Sequence, residues 1–328
     1  VIPFADVLIL GDKHYMMQAV PMDIGILWFL AVVGFGVYGI ILAGWSSHNK
    51  YGMLGGLRAA AQVISYEIPM GLALVSLLAV YGTVNLSEMA QFQGRLLFGF
   101  IPMWGFLLQP LGVIIFIVAA FAETNRTPFD LAEGESEIVA GYHVEYSSMK
   151  FALFFMGEYV AMFVSSALIV TLYFGSYQIP WFTTETLVTY ARPVVIAIMI
   201  GLPVIGYFFA EWMKRNNRSH YYRENDPRQK ETAVYVALLW SLVAILEVVL
   251  LVYLVFAHGG VADRILVALL QIGTFLFKTF LMCFVYVWVR WTLPRFRYDQ
   301  LQKIGWEKLL PLALLNIFIT SAIIVSLG

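Results

Sequence analysis

Between Glu123 and Phe151 the chain reads ETNRTPFDLAEGESEIVAGYHVEYSSMKF. Six carboxylates fall in this stretch, Glu123, Asp130, Glu133, Glu135, Glu137 and Glu145, out of only 21 acids in the whole chain. The flanking runs, GVIIFIVAAFA and ALFFMGEYVAMFVSSALIV, are almost purely apolar. Carboxylates crowded together raise one another's pKa values and titrate as a set, so such a cluster can hold or pass protons near neutral pH. Residue chemistry leaves three readings open. The stretch is a solvated connector, or a hard-cation cluster on Glu133, Glu135 and Glu137, or a polar funnel that feeds protons or a polar head group toward the apolar segments. The spacing matches no EF-hand loop.

Four further ionisable residues stand inside apolar runs: Glu67, Glu158, Glu247 and Lys278. Charge at membrane depth is expensive and marks function more often than chance. Glu67, in RAAAQVISYEIPMGLALV, lies about nine residues into its segment, roughly 13 Å along a helix. Pro69 cannot donate a backbone hydrogen bond, so a carbonyl near Ser65 loses its partner beside that carboxyl. Glu67 reads as a proton carrier, or as a structural acid satisfied by Arg58 or Gln62. Glu158, in FFMGEYVAMF, sits about two turns into its helix, as a proton site or as an acid snorkelling to water. Lys278, in QIGTFLFKTFLMCF, calls for a carboxylate partner or a place in a relay. Glu247 is equally deep, with nothing to place it in a site.

The elements that must position these groups follow from composition. The chain is 61% hydrophobic and 12% charged, with a mean hydropathy of +0.79, whereas soluble domains are about 25% charged. It reads as an integral membrane protein, all-α, with about eight transmembrane helices at roughly 24–45, 59–81, 103–122, 151–175, 190–211, 233–257, 264–290 and 309–327. No alternation recurs that would suggest a barrel. The loops 46–58, 123–150, 212–232 and 290–308 carry 15 Lys and Arg, and the opposite set carries four. That asymmetry puts the first set on the cytoplasmic side, or inside an organelle. Net charge of −1 implies no nucleic-acid partner. The single cysteine, Cys283, allows neither an internal disulfide nor a cysteine-held cluster. The five histidines fall in loops or at helix ends, against a membrane haem, and no phosphate-binding glycine loop is present. The first residues, VIPFADVLIL, read as the end of a hydrophobic segment rather than a signal peptide, so the sequence reads as N-terminally incomplete.

The acidic stretch, together with FMGEY at 155–159, resembles the signature of the H subunit of proton-pumping NADH:quinone oxidoreductase, respiratory complex I, whose mitochondrial counterpart is the first membrane subunit encoded there. LAGWSSHNKYGMLGGLRAAAQVISYEIPMGL at 42–72 and RWTLPRFRYDQLQKIGW at 290–306 agree, in the family's order. The resemblance covers residues 1–175 and about 264–327. It implies that the acidic loop lies under a peripheral arm, lines part of a quinone chamber and begins an acidic path into the membrane. On that reading Glu123, Asp130, Glu133, Glu135, Glu137 and Glu145 belong to the chamber and loop, with Arg126 as counter-charge, and Glu67, Glu158 and Lys278 continue the path. Arg290, Arg295 and Arg297 form a basic cluster, either a topology signal or a docking patch for the acidic loop or the peripheral arm.

Two departures accompany the resemblance. The family's first membrane helix and its quinone-proximal loop have no match here, and residues 178–262 read as a two-helix insertion within a single membrane domain, 1–328. The implied protein is a multi-pass subunit of a bacterial inner membrane, with an organelle inner membrane second. It holds no redox centre of its own. Quinone is its substrate, and flavin and iron–sulfur clusters reside in partner subunits. Alternatives are the homologous subunit of a plastid dehydrogenase, an F420H2 dehydrogenase or a membrane-bound hydrogenase, or a free-standing ion transporter with midplane carboxylates.

Overall fold

The computed structural model describes residues 1–10, 12–97, 99–131, 141–218, 228–256 and 260–327. Glu133, Glu135 and Glu137 therefore lie outside the described residues. Asn49 caps helix α3 (Lys50–Tyr81), accepting the backbone N–H of Tyr51 at 2.9 Å. Gly82, at φ +69°, closes its other end, with its N–H on the carbonyl of Leu78 at 2.8 Å. The asparagine cap begins this helix nine residues before the expected start at 59. At 1.5 Å per residue α3 is about 48 Å long, ample for a hydrocarbon core of about 30 Å.

Before it, α1 (Gly25–Gly34) and α2 (Gly36–Ser46) run as one span with a break at Phe35. Glycines let α2 approach α3 closely. A β-carbon on Gly44 would stand 2.8 Å from the carbonyl of Gly52, and one on Gly56 would stand 3.1 Å from that of Ile40. Such small-residue contacts are how helices pack tightly where lipid removes the hydrophobic drive between them.

The third expected span is broken. After α4 (Leu86–Gln93) come a single turn, α5 (Gly105–Leu108), and then α6 (Pro110–Glu123). Gln109, at φ −134° and ψ 63°, is not helical, because the following proline disfavours the helical region for the residue before it. The remaining elements are α7 (Ser148–Tyr173), α8 (Thr184–Thr189), α9 (Ala191–Arg218), α10 (Arg228–Phe256), α11 (Gly260–Thr292), α12 (Tyr298–Lys303), a π-helical turn Ile304–Leu309 and α13 (Leu310–Leu327). Among the described residues seven helical stretches are long and apolar enough to cross a membrane, and Pro110–Glu123 is a shorter apolar helix. Sheet is limited there to two short two-stranded pieces. The fold is the polytopic helical bundle expected from composition.

The chain divides into two compact units. One comprises Val1–Leu8, His14–Thr183 and Leu269–Gly328, and the other comprises Ile9–Lys13 and Thr184–Ala268. The first holds every described residue of the expected site, and Glu247 lies in the second. The core of the first gathers around α3, with Tyr66, Leu74, Leu77, Phe116, Ile169 and Leu172 fully buried. Several polar groups within it pair with one another. Asn316 Nδ2 donates to Ser76 Oγ (2.6 Å) and Gln109 Oε1 (2.9 Å), and Gln109 Nε2 donates to Thr320 Oγ1 (2.7 Å). This chain of hydrogen bonds joins α3, α13 and the turn before α6, as an environment without water requires.

Loop contacts in this unit sort as the basic residues do. Asn49 meets Glu145, Ser46 meets Tyr146, and Pro128 meets Phe296, linking loops 46–58, 123–150 and 290–308. At the opposite end Gln18 meets Ser87, Ser176 meets Pro3, and Trp181 meets Phe100.

Candidate functional site

Helix α6 ends at Glu123, and the chain then turns back across α3. Gln62, wholly buried on α3, fixes that turn. Its Nε2 donates to the carbonyls of Ala122 and Phe129, each at 2.6 Å, and lies 3.3 Å from Asn125 Oδ1. From the other side Phe296 N–H donates to the carbonyl of Pro128 at 3.0 Å. Arg295 Nη2 donates to Asp130 Oδ2 at 2.8 Å, with the aspartate side chain only 6% exposed. The start of the acidic stretch is thus held between α3 and the arginine-rich segment after α11. Glu145 marks its far end, accepting Asn49 Nδ2 at 2.8 Å, and the next residue, Tyr146, donates its hydroxyl to the carbonyl of Ala43 at 2.8 Å.

Arg126 lies inside this turn. Its Nη2 stands 3.3 Å from Glu158 Oε2, and both side chains are about nine-tenths buried, at 8% and 11% exposure. The guanidinium also covers the rings of Tyr159, at 4.3 Å, and Phe155, at 5.3 Å. Residues 155, 158 and 159 share one face of α7 through the i, i+3, i+4 spacing. One helical face therefore presents a carboxylate between two rings to a single arginine. The 3.3 Å approach is a charge contact rather than a hydrogen bond, since Nε and Nη2 have no hydrogen-bond acceptor among the described residues.

Glu123 and Glu158 both reach a cavity of about 360 Å³. The rest of its wall is mostly apolar, including Phe29 and Val33 of α1, Val63 and Met70 of α3, and Phe154 of α7. Glu67 is not on this wall. It lies exposed on α3, with its Oε1 3.1 Å from where a β-carbon on Gly34 would be. It is close enough to Glu123 for the two charges to act on each other. Three helices, α3, α6 and α7, thus each bring one carboxyl group to the neighbourhood of the cavity. The turn of α3 before Pro69 has protein neighbours too. Ser65 Oγ lies 2.9 Å from Gln302 Oε1 and accepts Trp306 Nε1 at 3.1 Å, while Tyr66 donates to the carbonyl of Leu301 at 2.9 Å.

Other expected residues stand elsewhere. Lys278 meets no carboxylate among the described residues. Its ammonium donates to the carbonyls of Phe174 (2.9 Å), Ser176 (3.0 Å) and Gln178 (2.7 Å), just past the end of α7, and lies 4.6 Å from the ring centre of Trp104. The carbonyl end of a helix attracts a cation on its own, so no acid is needed there. Arg290 is exposed at the end of α11, and Arg297 sits at the N-cap of α12, its N–H on Gln300 Oε1 at 3.2 Å. The sequence offers Gln62 only as a partner for Glu67, and it gives no pointer to Asn49 or Tyr146. A lone amide in an apolar helix is the one signal that marks Gln62.

A family model described as NADH dehydrogenase matches residues 1–216 and 232–321, and so includes all of 178–262 except 217–231. The chain is 39% identical over 324 residues to the NADH-quinone oxidoreductase H subunit 1 of Solibacter usitatus, covering 99% of this chain and 75% of that protein. It is 38% identical over 329 residues to the NADH-quinone oxidoreductase H subunit of Salinibacter ruber, covering 100% and 70%. NADH-quinone oxidoreductase subunit 8 of Rhodothermus marinus is 38% identical over 320 residues, covering 97% and 70%.

Proposed function

Because this chain belongs to the NADH dehydrogenase family, we propose that it is the membrane subunit of a proton-translocating NADH:quinone oxidoreductase in which the acidic segment and the cavity beneath it couple quinone reduction to proton movement. The observation that carries this is the cavity with Glu123 and Glu158 on a mostly apolar wall, beside a turn held by Gln62 and Arg295. Apolar walls with few placed polar groups suit a quinone ring and its tail. Electrons arrive from flavin and iron–sulfur centres in partner subunits. Reducing a quinone to a quinol takes up two electrons and two protons, and this chain's part is to supply and replace protons.

Carboxyl groups at the cavity do this in sequence. Glu123 and Glu158 exchange protons at the wall, and Glu67, within electrostatic reach of Glu123, extends the path outward. Arg126 holds Glu158 in position. The clustered acids of the 123–145 segment hold further protons, since each carboxylate's charge alters its neighbours' affinity. Lys278, bonded to three carbonyls beyond the end of α7, has an anchoring role here rather than a place in the path.

The test is Glu123→Gln in the assembled complex, with NADH oxidation measured against quinone and against an artificial electron acceptor. The expected outcome is a fall of about a hundredfold with quinone, the lower end of what a positioned proton donor contributes, and an unchanged rate with the acceptor. Parental quinone reduction and proton pumping in this variant would refute the role given to the cavity.

A further inference from the structure

Arg126 lines a second cavity, while its charge partner, Glu158, lines the first. The second cavity, of about 210 Å³, is lined by Arg126, Tyr159, Met162, Val287, Tyr286, Arg290 and Trp291. Two of these residues are cations, and none is an acid. Arg126 is buried, yet its Nε and Nη2 find no hydrogen-bond acceptor among the described residues. A buried guanidinium with idle N–H groups is costly unless something accepts from them. Arg290 stands at the end of α11, on the basic side by the count of Lys and Arg, and is exposed. Trp291 beside it is 81% exposed and Trp288 is 62% exposed. Tryptophans at that level mark the boundary between lipid tails and head groups.

From this geometry we infer that the cavity between α7 and α11 binds the phosphate of an anionic phospholipid. Arg126 and Arg290 take the phosphate oxygens, while Met162 and Trp291 lie along the first part of the acyl chains. Basic pockets between membrane helices on the cytoplasmic side suit this ligand class. Guanidinium groups match phosphate geometry with paired donors. The site is distinct from the carboxyl-lined cavity, and its existence does not depend on what that cavity holds.

The experiment uses the intact complex, purified in mild detergent and stripped of lipid. Phosphatidylglycerol bearing a diazirine next to its head group is added, irradiated, and the labelled peptides are identified by mass spectrometry. Labelling of Tyr159, Met162 or Trp291 is expected, displaced by unlabelled phosphatidylglycerol but not by phosphatidylcholine or inorganic phosphate. Arg290→Gln should raise the phosphatidylglycerol needed for half-labelling about fivefold, the equivalent of about 1 kcal/mol for one arginine near a membrane surface, and Arg290→Lys should raise it less. No label at these residues would overturn the inference. So would equal displacement by phosphatidylcholine, which makes it a neutral lipid groove, or by inorganic phosphate, which makes it a free-anion site. If the Arg290 variants fail to assemble, Val287→Phe narrows the same cavity without touching charge, and unchanged labelling of that variant overturns the inference equally.

Discussion

Replacing Gln62 with Leu should loosen the turn that carries Glu123, Arg126 and Asp130, and the size of the effect can be worked from its contacts. The side chain is fully buried, and its Nε2 serves two carbonyls at 2.6 Å. A buried carbonyl left without a donor costs about 1–3 kcal/mol. Phe129 would lose the donor just described, for about 2 kcal/mol on that scale. Ala122 keeps the N–H of Asn125 at 3.3 Å, so its loss is about 1 kcal/mol. Against this, Gln62 Oε1 is itself buried without a partner among the described residues, and removing it returns about 1 kcal/mol. The net is about 2 kcal/mol, or about thirtyfold in the equilibrium between the fastened and released turn. Leucine keeps the volume, so α3 should be undisturbed. Hydrogen exchange in the assembled complex reads this directly. Amides of 125–130 should lose about thirtyfold in protection while those of 70–78 stay unchanged, and quinone reduction should fall with electron entry intact. Unchanged protection at 125–130 would refute the reasoning, because it would mean that Arg295 and Phe296 hold the turn without Gln62.

Two further outcomes follow from contacts in the same unit. Asp130→Asn and Arg295→Gln should each lower quinone reduction, and the double variant should fall short of their product by about fivefold, as expected for a partly exposed pair worth about 1 kcal/mol; additive losses would show that the 2.8 Å contact carries no coupling. Lys278→Met should lower the amount of assembled complex on native gels, because three carbonyls lose a charged donor, while quinone reduction per assembled complex stays near the parent's; full assembly with a specific loss of proton pumping would return Lys278 to the proton path.

Much of this arrangement is legible in the order of residues alone. Long apolar runs set most of the helices, and the clustering of acids in one loop points to the site. Partners are not legible. Asp130 and Arg295 are 165 positions apart, and nothing in either local sequence names the other. Arg126 reads as counter-charge to the loop acids, yet its described partner is Glu158, one helix further on, because the turn held by Gln62 aims it at α7. Lys278 suggests a carboxylate partner, and the described structure gives it carbonyls instead, for a simpler reason. A buried ammonium needs oxygen atoms, and backbone carbonyls, which every residue carries, leave no trace in a sequence. The early break of the span at 103–122 is signalled by Pro110, but a proline is equally at home in the first turn of an uninterrupted helix.

Helix α7 is gripped far more firmly at one end than at the other. From Ser166 to Tyr173 every residue is buried, and that end is clamped: Tyr81 donates to the carbonyl of Leu172, Gln93 donates to that of Thr171, and Lys278 grips the backbone just beyond. Toward the other end the helix emerges, with Met149, Leu153, Met156 and Val160 more than half exposed. The charge on that outer arm that faces Arg126 is Glu158, about eight residues, or roughly 12 Å, from the clamp. A push or pull on its charge therefore acts between that clamp and the weaker ties of Glu145 and Tyr146 at the other end, on the segment that carries Phe154, Phe155 and Tyr159. Of the two cavities, each has one wall on that arm.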